Sequence, residues 1–110
     1  MIIRIDSRKL MDDDTLHTTL SEAFGLLPSY GKNLDALVDC LTHLDDPKAG
    51  LSRTRTFPGQ VALLAIEHVD GLGKPQETQL KRLVDVVAFV NWRRMEKGQA
   101  PVLAVAYGPG

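Results

Sequence analysis

Two uninterrupted apolar runs constrain this chain more than anything else in it: Val61-Ala62-Leu63-Leu64-Ala65-Ile66 and Val102-Leu103-Ala104-Val105-Ala106-Tyr107. Each is too short for an ordinary helix and each is bounded by turn formers, Gly59 and Asp70-Gly71 around the first, Pro101 and Gly108-Pro109 around the second. Between them Leu80, Leu83, Val84, Val87, Val90 and Met95 recur at helical spacing up to a stop at Gly98. A strand, a long helix and a strand make a crossover unit, which pairs its strands in parallel. The unbroken apolar character of 61–66 predicts a strand buried on both faces.

The first half supplies the remaining elements. Ile2-Ile3-Arg4-Ile5 is a short β-rich run. Asp12, Asp13 and Asp14 suit the positive end of a helix carrying Leu16, Leu20 and Phe24, with Gly25 as its stop. Pro28 and Gly31 make a tight connection, and Asn33 is a natural N-cap for a second helix. The order is β-α-α-β-α-β. It predicts a single α/β domain over 1–110, with a three-stranded parallel sheet (strands near 2–6, 60–67 and 101–107) and helices mainly on one face. The segment Asp45 to Gly59 has neither period and reads as an exposed, mobile loop, with Leu51 and Phe57 its only large apolar residues and with Lys48, Arg53 and Arg55 open to proteases.

Composition narrows the function. With 13 basic and 14 acidic residues the net charge is −1, which disfavours nucleic acid as a partner. No apolar run approaches a membrane span or a signal peptide, so no membrane partner is expected. Cys40 is the only cysteine; an internal disulfide is therefore impossible, and a reducing, cytoplasmic setting is the expectation. His17, His43, His68 and Cys40 have no zinc-site spacing, and Gly71-Leu72-Gly73-Lys74 lacks the pattern of a phosphate loop. Cys40, with no base to activate it, reads as a packed thiol. Neither catalysis nor a cofactor is expected. A metal-using enzyme built on the acidic residues is the weakest alternative, because no His or Cys completes a ligand set.

The stretch 30–46 has two incompatible faces. At about 100° per residue, Leu34, Leu37, Val38, Leu41 and Leu44 form a core stripe, while Asp35, Asp39, Thr42 and Asp46 fall on another side. Like charges at this spacing repel one another by a few tenths of a kcal/mol, so the row gains nothing within the chain. It suits a basic partner.

These residues carry a resemblance. Leu16-His17-x-Thr19-Leu20, then Tyr30-Gly31-x-Asn33-Leu34-Asp35-Ala36-Leu37 and Asp39-Cys40-Leu41-Thr42, make the span 14–44 similar to the barstar family of intracellular ribonuclease inhibitors. The resemblance implies the same fold and a non-catalytic inhibitor, monomeric when free, that plugs the active site of a small basic ribonuclease in a 1:1 complex. It implies a partner-binding set of Tyr30, Gly31, Asn33, Asp35, Val38, Asp39, Thr42 and Asp46, with Asp39 standing where a substrate phosphate binds. Gly31 would let backbone approach the nuclease. A regulatory module of the same fold with a non-nuclease basic partner is the alternative. The chain departs from the family pattern at Ser29, Lys32, Val38, Leu44 and Arg93, where aromatic or acidic residues are expected. The acids on the helix are kept and the rim is rewritten.

Overall fold

The computed structural model describes residues 1–27, 30–50, 52, 56 and 59–109. Its elements are β1 (Ile2–Asp6), α1 (Asp13–Phe24), α2 (Leu34–Thr42), β2 (Ala62–Glu67), α3 (Lys74–Glu96) and β3 (Leu103–Tyr107), with a 3-10 turn at Ser7–Lys9. The three strands form one parallel sheet in the order β1-β2-β3. Both the β-α-α-β-α-β order and the strand positions agree with the sequence expectation to within two residues at any strand end. No helix among the described residues is long and apolar enough to cross a membrane.

Register puts Ile3, Leu64 and Val105 in one row across the sheet and Ile5, Ile66 and Tyr107 in another. This is the face the helices cover, and Ile5, Leu64 and Ile66 are buried in the single core cluster with Leu16, Leu20, Phe24, Leu37, Leu41, Leu83 and Val90. The other face carries Ile2, Leu63 and Ala104, then Arg4, Ala65 and Ala106. Ile2 is exposed, and Leu63 and Ala65 are only half-buried. Continuous apolar sequence in β2 therefore does not mean burial on both faces. With three strands and every helix on one side, its outward side chains are shielded mainly by their strand neighbours.

Helix ends are set locally. Asp12 caps α1: its carboxylate accepts from the Thr15 N–H at 2.8 Å, and the Thr15 hydroxyl oxygen accepts from the Asp12 N–H at 2.9 Å. Gly25 closes the helix at φ 62, a left-handed conformation that costs glycine nothing. α3 begins with Pro75 in its first turn, where no intrahelical N–H is needed. Its buried residues are Gln79, Leu83, Val86, Val87, Val90 and Arg94. Leu80 and Val84 lie only at the edge of the stripe and Met95 is exposed, because the true stripe is rotated toward Val86 and Arg94.

Arg94 is the main surprise. One of several basic residues on this helix, it is 4% exposed and holds four hydrogen bonds: Nε to the Ala100 carbonyl at 2.8 Å, Nη1 to the Thr42 carbonyl at 2.8 Å and Asp45 Oδ1 at 2.9 Å, and Nη2 to Asp45 Oδ2 at 2.8 Å. The bidentate fork satisfies both carboxylate oxygens at once. It joins the end of α2, the end of α3 and the approach to β3. Asn91 holds that approach as well. Its side-chain oxygen accepts from the Val102 and Leu103 N–H groups, and its amide donates to the Leu103 carbonyl at 2.8 Å.

The segment 45–59 is not simply an exposed loop. Thr56 is buried, its N–H donates to the Leu44 carbonyl at 3.2 Å, and Ser52 forms an antiparallel bridge with Leu26. Lys48 is exposed as expected, whereas Leu51, Arg53, Arg55 and Phe57 lie outside the described residues.

Removing one member of a buried ion pair leaves the other charge without compensation, which costs about 3–5 kcal/mol. Arg94→Ala is therefore expected to lower the unfolding free energy by about 3 kcal/mol or more in urea titrations, with Arg94→Met less harmful because it keeps the packing. The Asp45 carboxyl is held below its usual range by its hydrogen bonds to Arg94, against the opposing effect of burial. A carboxyl lowered in the folded state adds stability that is full above the unfolded value, about 4. That stability is lost as pH falls from there through the lowered value, so the acid-side decline should be shallower in Asp45→Asn.

Candidate functional site

α2 is nine residues long and starts at Asn33, whose side-chain oxygen accepts from the Ala36 N–H at 2.8 Å. Just before the cap, Lys32 sits at φ 50, a left-handed conformation uncommon for a side chain with a Cβ. The positive φ expected of a turn glycine thus falls on Lys32, not on its neighbour Gly31. Gly31 makes room instead. A Cβ there would lie 3.0 Å from Asn33 Nδ2, the amide that donates to the Gly31 carbonyl at 3.3 Å.

The helix buries Leu37, Val38, Cys40, Leu41 and Thr42 and exposes Asp35 and Asp39. Leu34, expected in the core stripe, is 38% exposed because it occupies the first helical position, beyond the core's edge. Thr42 lies inside: its hydroxyl donates to the Val38 carbonyl at 2.6 Å, and its own carbonyl is gripped by Arg94. α2 stops at this residue, so Asp46 is not on the helix. It is half-buried in the following turn, with Oδ1 accepting from the Lys48 N–H at 2.9 Å. Arg94 satisfies one of the last carbonyls of the helix, a group without an intrahelical partner, and pairs with Asp45 three residues on. The expected row of four therefore reduces to Asp35 and Asp39 on the outer face. Cys40 is buried and its thiol pushed up first by that burial and then by Asp39, the opposite of an activated nucleophile.

Tyr30 is half-buried against the core, and its hydroxyl hydrogen-bonds His17 Nδ1 on α1, with the two rings 5.7 Å apart. Burial pushes the phenol up to about 12, so at neutral pH it keeps its proton. The spacing of His17 and Tyr30 in sequence gives no hint of this contact.

Two shallow clefts flank α2. One, of about 550 Å³, is lined by Asp13, Asp14, His17, Lys32, Asp35 and Arg82 among others. Ion pairs cross it, Arg82 to Asp13 at 3.2 Å and Lys32 to Asp14 at 3.9 Å, both largely exposed. The other, of about 490 Å³, lies between α2 and α3 and is lined by Asp35, Ala36, Val38, Asp39, Phe89 and Arg93. The sequence reading named neither Phe89 nor Trp92. The signal was there, since both fall off the Leu83, Val87, Val90 stripe that already accounts for the core side of α3. Among the described residues, no group of three His, Cys, Asp or Glu side chains could hold a metal ion. The arrangement offers binding chemistry: a rigid helix presenting two carboxylates beside an apolar and cationic rim.

Burial holds the His17 imidazole below its ordinary value, against the pull of Asp13 and Asp14 and aided by Lys32. The unfolded chain then takes up a proton more readily than the folded one, starting near the ordinary value of about 6.5. Stability should be full above that pH and fall as the pH drops through the lowered folded value, because the charged imidazole would be buried. Urea titrations between pH 5 and 8 should show this decline, and His17→Gln should flatten it.

A family model described as Barstar (barnase inhibitor) matches residues 1–105, a span that includes every element of the fold up to the middle of β3 and the whole acidic face of α2. No curated protein matches the chain. A match over nearly the full length, on a parallel sheet with the helix order that the resemblance implied, means that the chain belongs to the barstar family.

Proposed function

We propose that this protein inhibits a small basic ribonuclease by laying the outer face of α2 across its active site. The observation that carries this reading is the exposure of Asp35 and Asp39 on a capped helix in a chain of the barstar family. Asp39 stands in for a substrate phosphate: a carboxylate held among guanidinium groups makes short, charge-assisted hydrogen bonds once water is excluded. Asp35 adds a second acid one turn earlier. Tyr30, Gly31, Asn33 and the edge of Val38 flank the acids, and the hydrogen bond to His17 sets the position of the Tyr30 ring. Thr42 acts from beneath, through its carbonyl and hydroxyl, and Asp46 lies at the margin. The protein works without a cofactor, as a monomer forming a 1:1 complex, in the cytoplasm where the nuclease would otherwise attack the cell's own RNA.

Inhibition of RNA hydrolysis by barnase-type ribonucleases tests the reading. Truncating one member of a desolvated charge pair costs about 2–5 kcal/mol, a magnitude borrowed from complexes that include barnase and barstar themselves. Asp39→Ala should weaken inhibition by that amount, and Asp46→Ala by under about 1 kcal/mol, as a rim charge does. Neither should unfold the chain, because Asp39 is exposed on a helix where alanine is favourable and Asp46 lies outside it. Association should slow with added salt, since opposite charges steer the encounter. Equal, small losses for the two variants would remove the mechanism.

A further inference from the structure

The outer side of α3 carries aromatic surface that the core does not use. Phe89 is 48% exposed and Trp92 53%, with ring centroids 6.1 Å apart. Phe89 and Arg93 form one wall of the cleft whose other wall is Asp35, Ala36, Val38 and Asp39. Arg93 is half-buried there, and among the described residues neither it nor Asp35 nor Asp39 takes part in an ion pair. The two acids and the cation thus share one cleft without neutralising one another, next to an uncovered aromatic pair.

Each of these features asks for something different from a partner. Exposed aromatic rings and an arginine at the edge of a groove are the residue types that most often dominate binding energy, because they bury much area at little entropic cost. Two carboxylates require cations opposite them. A guanidinium in the same cleft would be repelled by a uniformly basic surface, and like charges brought together across an interface are strongly unfavourable. A partner that fits all of it is basic where it meets Asp35 and Asp39 and acidic where it meets Arg93.

Resting on the inhibitor reading above, we propose that the binding surface continues from α2 onto α3, with Phe89 and Trp92 as apolar anchors. In this surface Arg93 selects a ribonuclease that presents a carboxylate beside its basic active site. Selection works by exclusion as much as attraction, since a nuclease with a cation at that place meets Arg93 head-on.

Trp92 is the only tryptophan, so 5-fluorotryptophan labelling gives this chain a single fluorine signal at the patch. The probes are a panel of barnase-type ribonucleases, barnase among them, and the one inhibited best is carried forward. Its addition should shift the fluorine resonance at one equivalent. Arg93→Glu should weaken inhibition 30-fold or more, Arg93→Gln about tenfold and Trp92→Ala about tenfold, with melting temperatures close to that of the parent because all these side chains lie outside the core. Inhibition unchanged or tightened by Arg93→Glu overturns the inference while the inhibitor reading stands. So does a fluorine resonance that stays put while the nuclease is fully inhibited. If no nuclease is inhibited, or Asp39→Ala has no effect, the inhibitor reading falls and this inference with it.

Discussion

The Arg94 guanidinium is the constraint on which the rest of the structure depends. It sits almost wholly out of water, and such a charge is tolerable because each of its three nitrogens has an acceptor: two carbonyls and both oxygens of Asp45. Those acceptors come from two regions far apart in the chain, 42–45 and residue 100. The first is the last residue of α2 with the turn after it, and the second is the segment leading to β3. A single planar group thereby ties the end of α2 to α3 and to the segment by which the chain leaves α3 for the sheet. The shape of the candidate binding surface follows, since both walls of the α2–α3 cleft are positioned by it.

The surface itself is built from residues the core leaves free. α2 commits Leu37, Val38, Cys40 and Leu41 inward, so Asp35 and Asp39 have no choice but to face out. Lys32 takes the left-handed turn before the cap, Asn33 fixes the first N–H groups, and Tyr30 is anchored from below by His17. The result is a rigid platform in which few side chains need to be ordered on binding, which lowers the entropic cost of association.

How much of this was legible depended on whether a residue's role is set by near neighbours in sequence. The three strands, the Asp12, Asn33 and Gly25 helix ends and the leucines of α1 and α2 follow from periodicity and capping, which are local, and all but the exposed Leu34 appear where expected. Arg94 reads as one more helix-surface cation because two of its partners, Asp45 and Thr42, lie 49 and 52 residues away. Asp46 was placed on an acidic face by extending the helix past its end at Thr42, and Thr42 itself, one turn after the buried Val38, turns inward. Met95 in place of Val86 is an error of phase, since the two sit on different sides of the same long helix. The apolar run of β2 could not reveal that one side of the sheet stays open, because coverage depends on where the helices go. Asp35 and Asp39 were legible because, among the described residues, no ion pair draws them inward.

A nine-residue helix has no stability of its own in water; it exists because the core and the Arg94 clasp hold it. The platform is therefore either whole or absent, and anything that grips α2 grips the folded state alone. Occupancy and durability become one quantity. A partner present at a thousand times its dissociation constant adds about 4 kcal/mol to the stability of the folded chain. Uncomplexed copies, lacking that addition, open more often and are the first to meet a protease. The abundance of such a protein would then follow that of its partner with no dedicated regulator, the surplus being cleared by its own fluctuations.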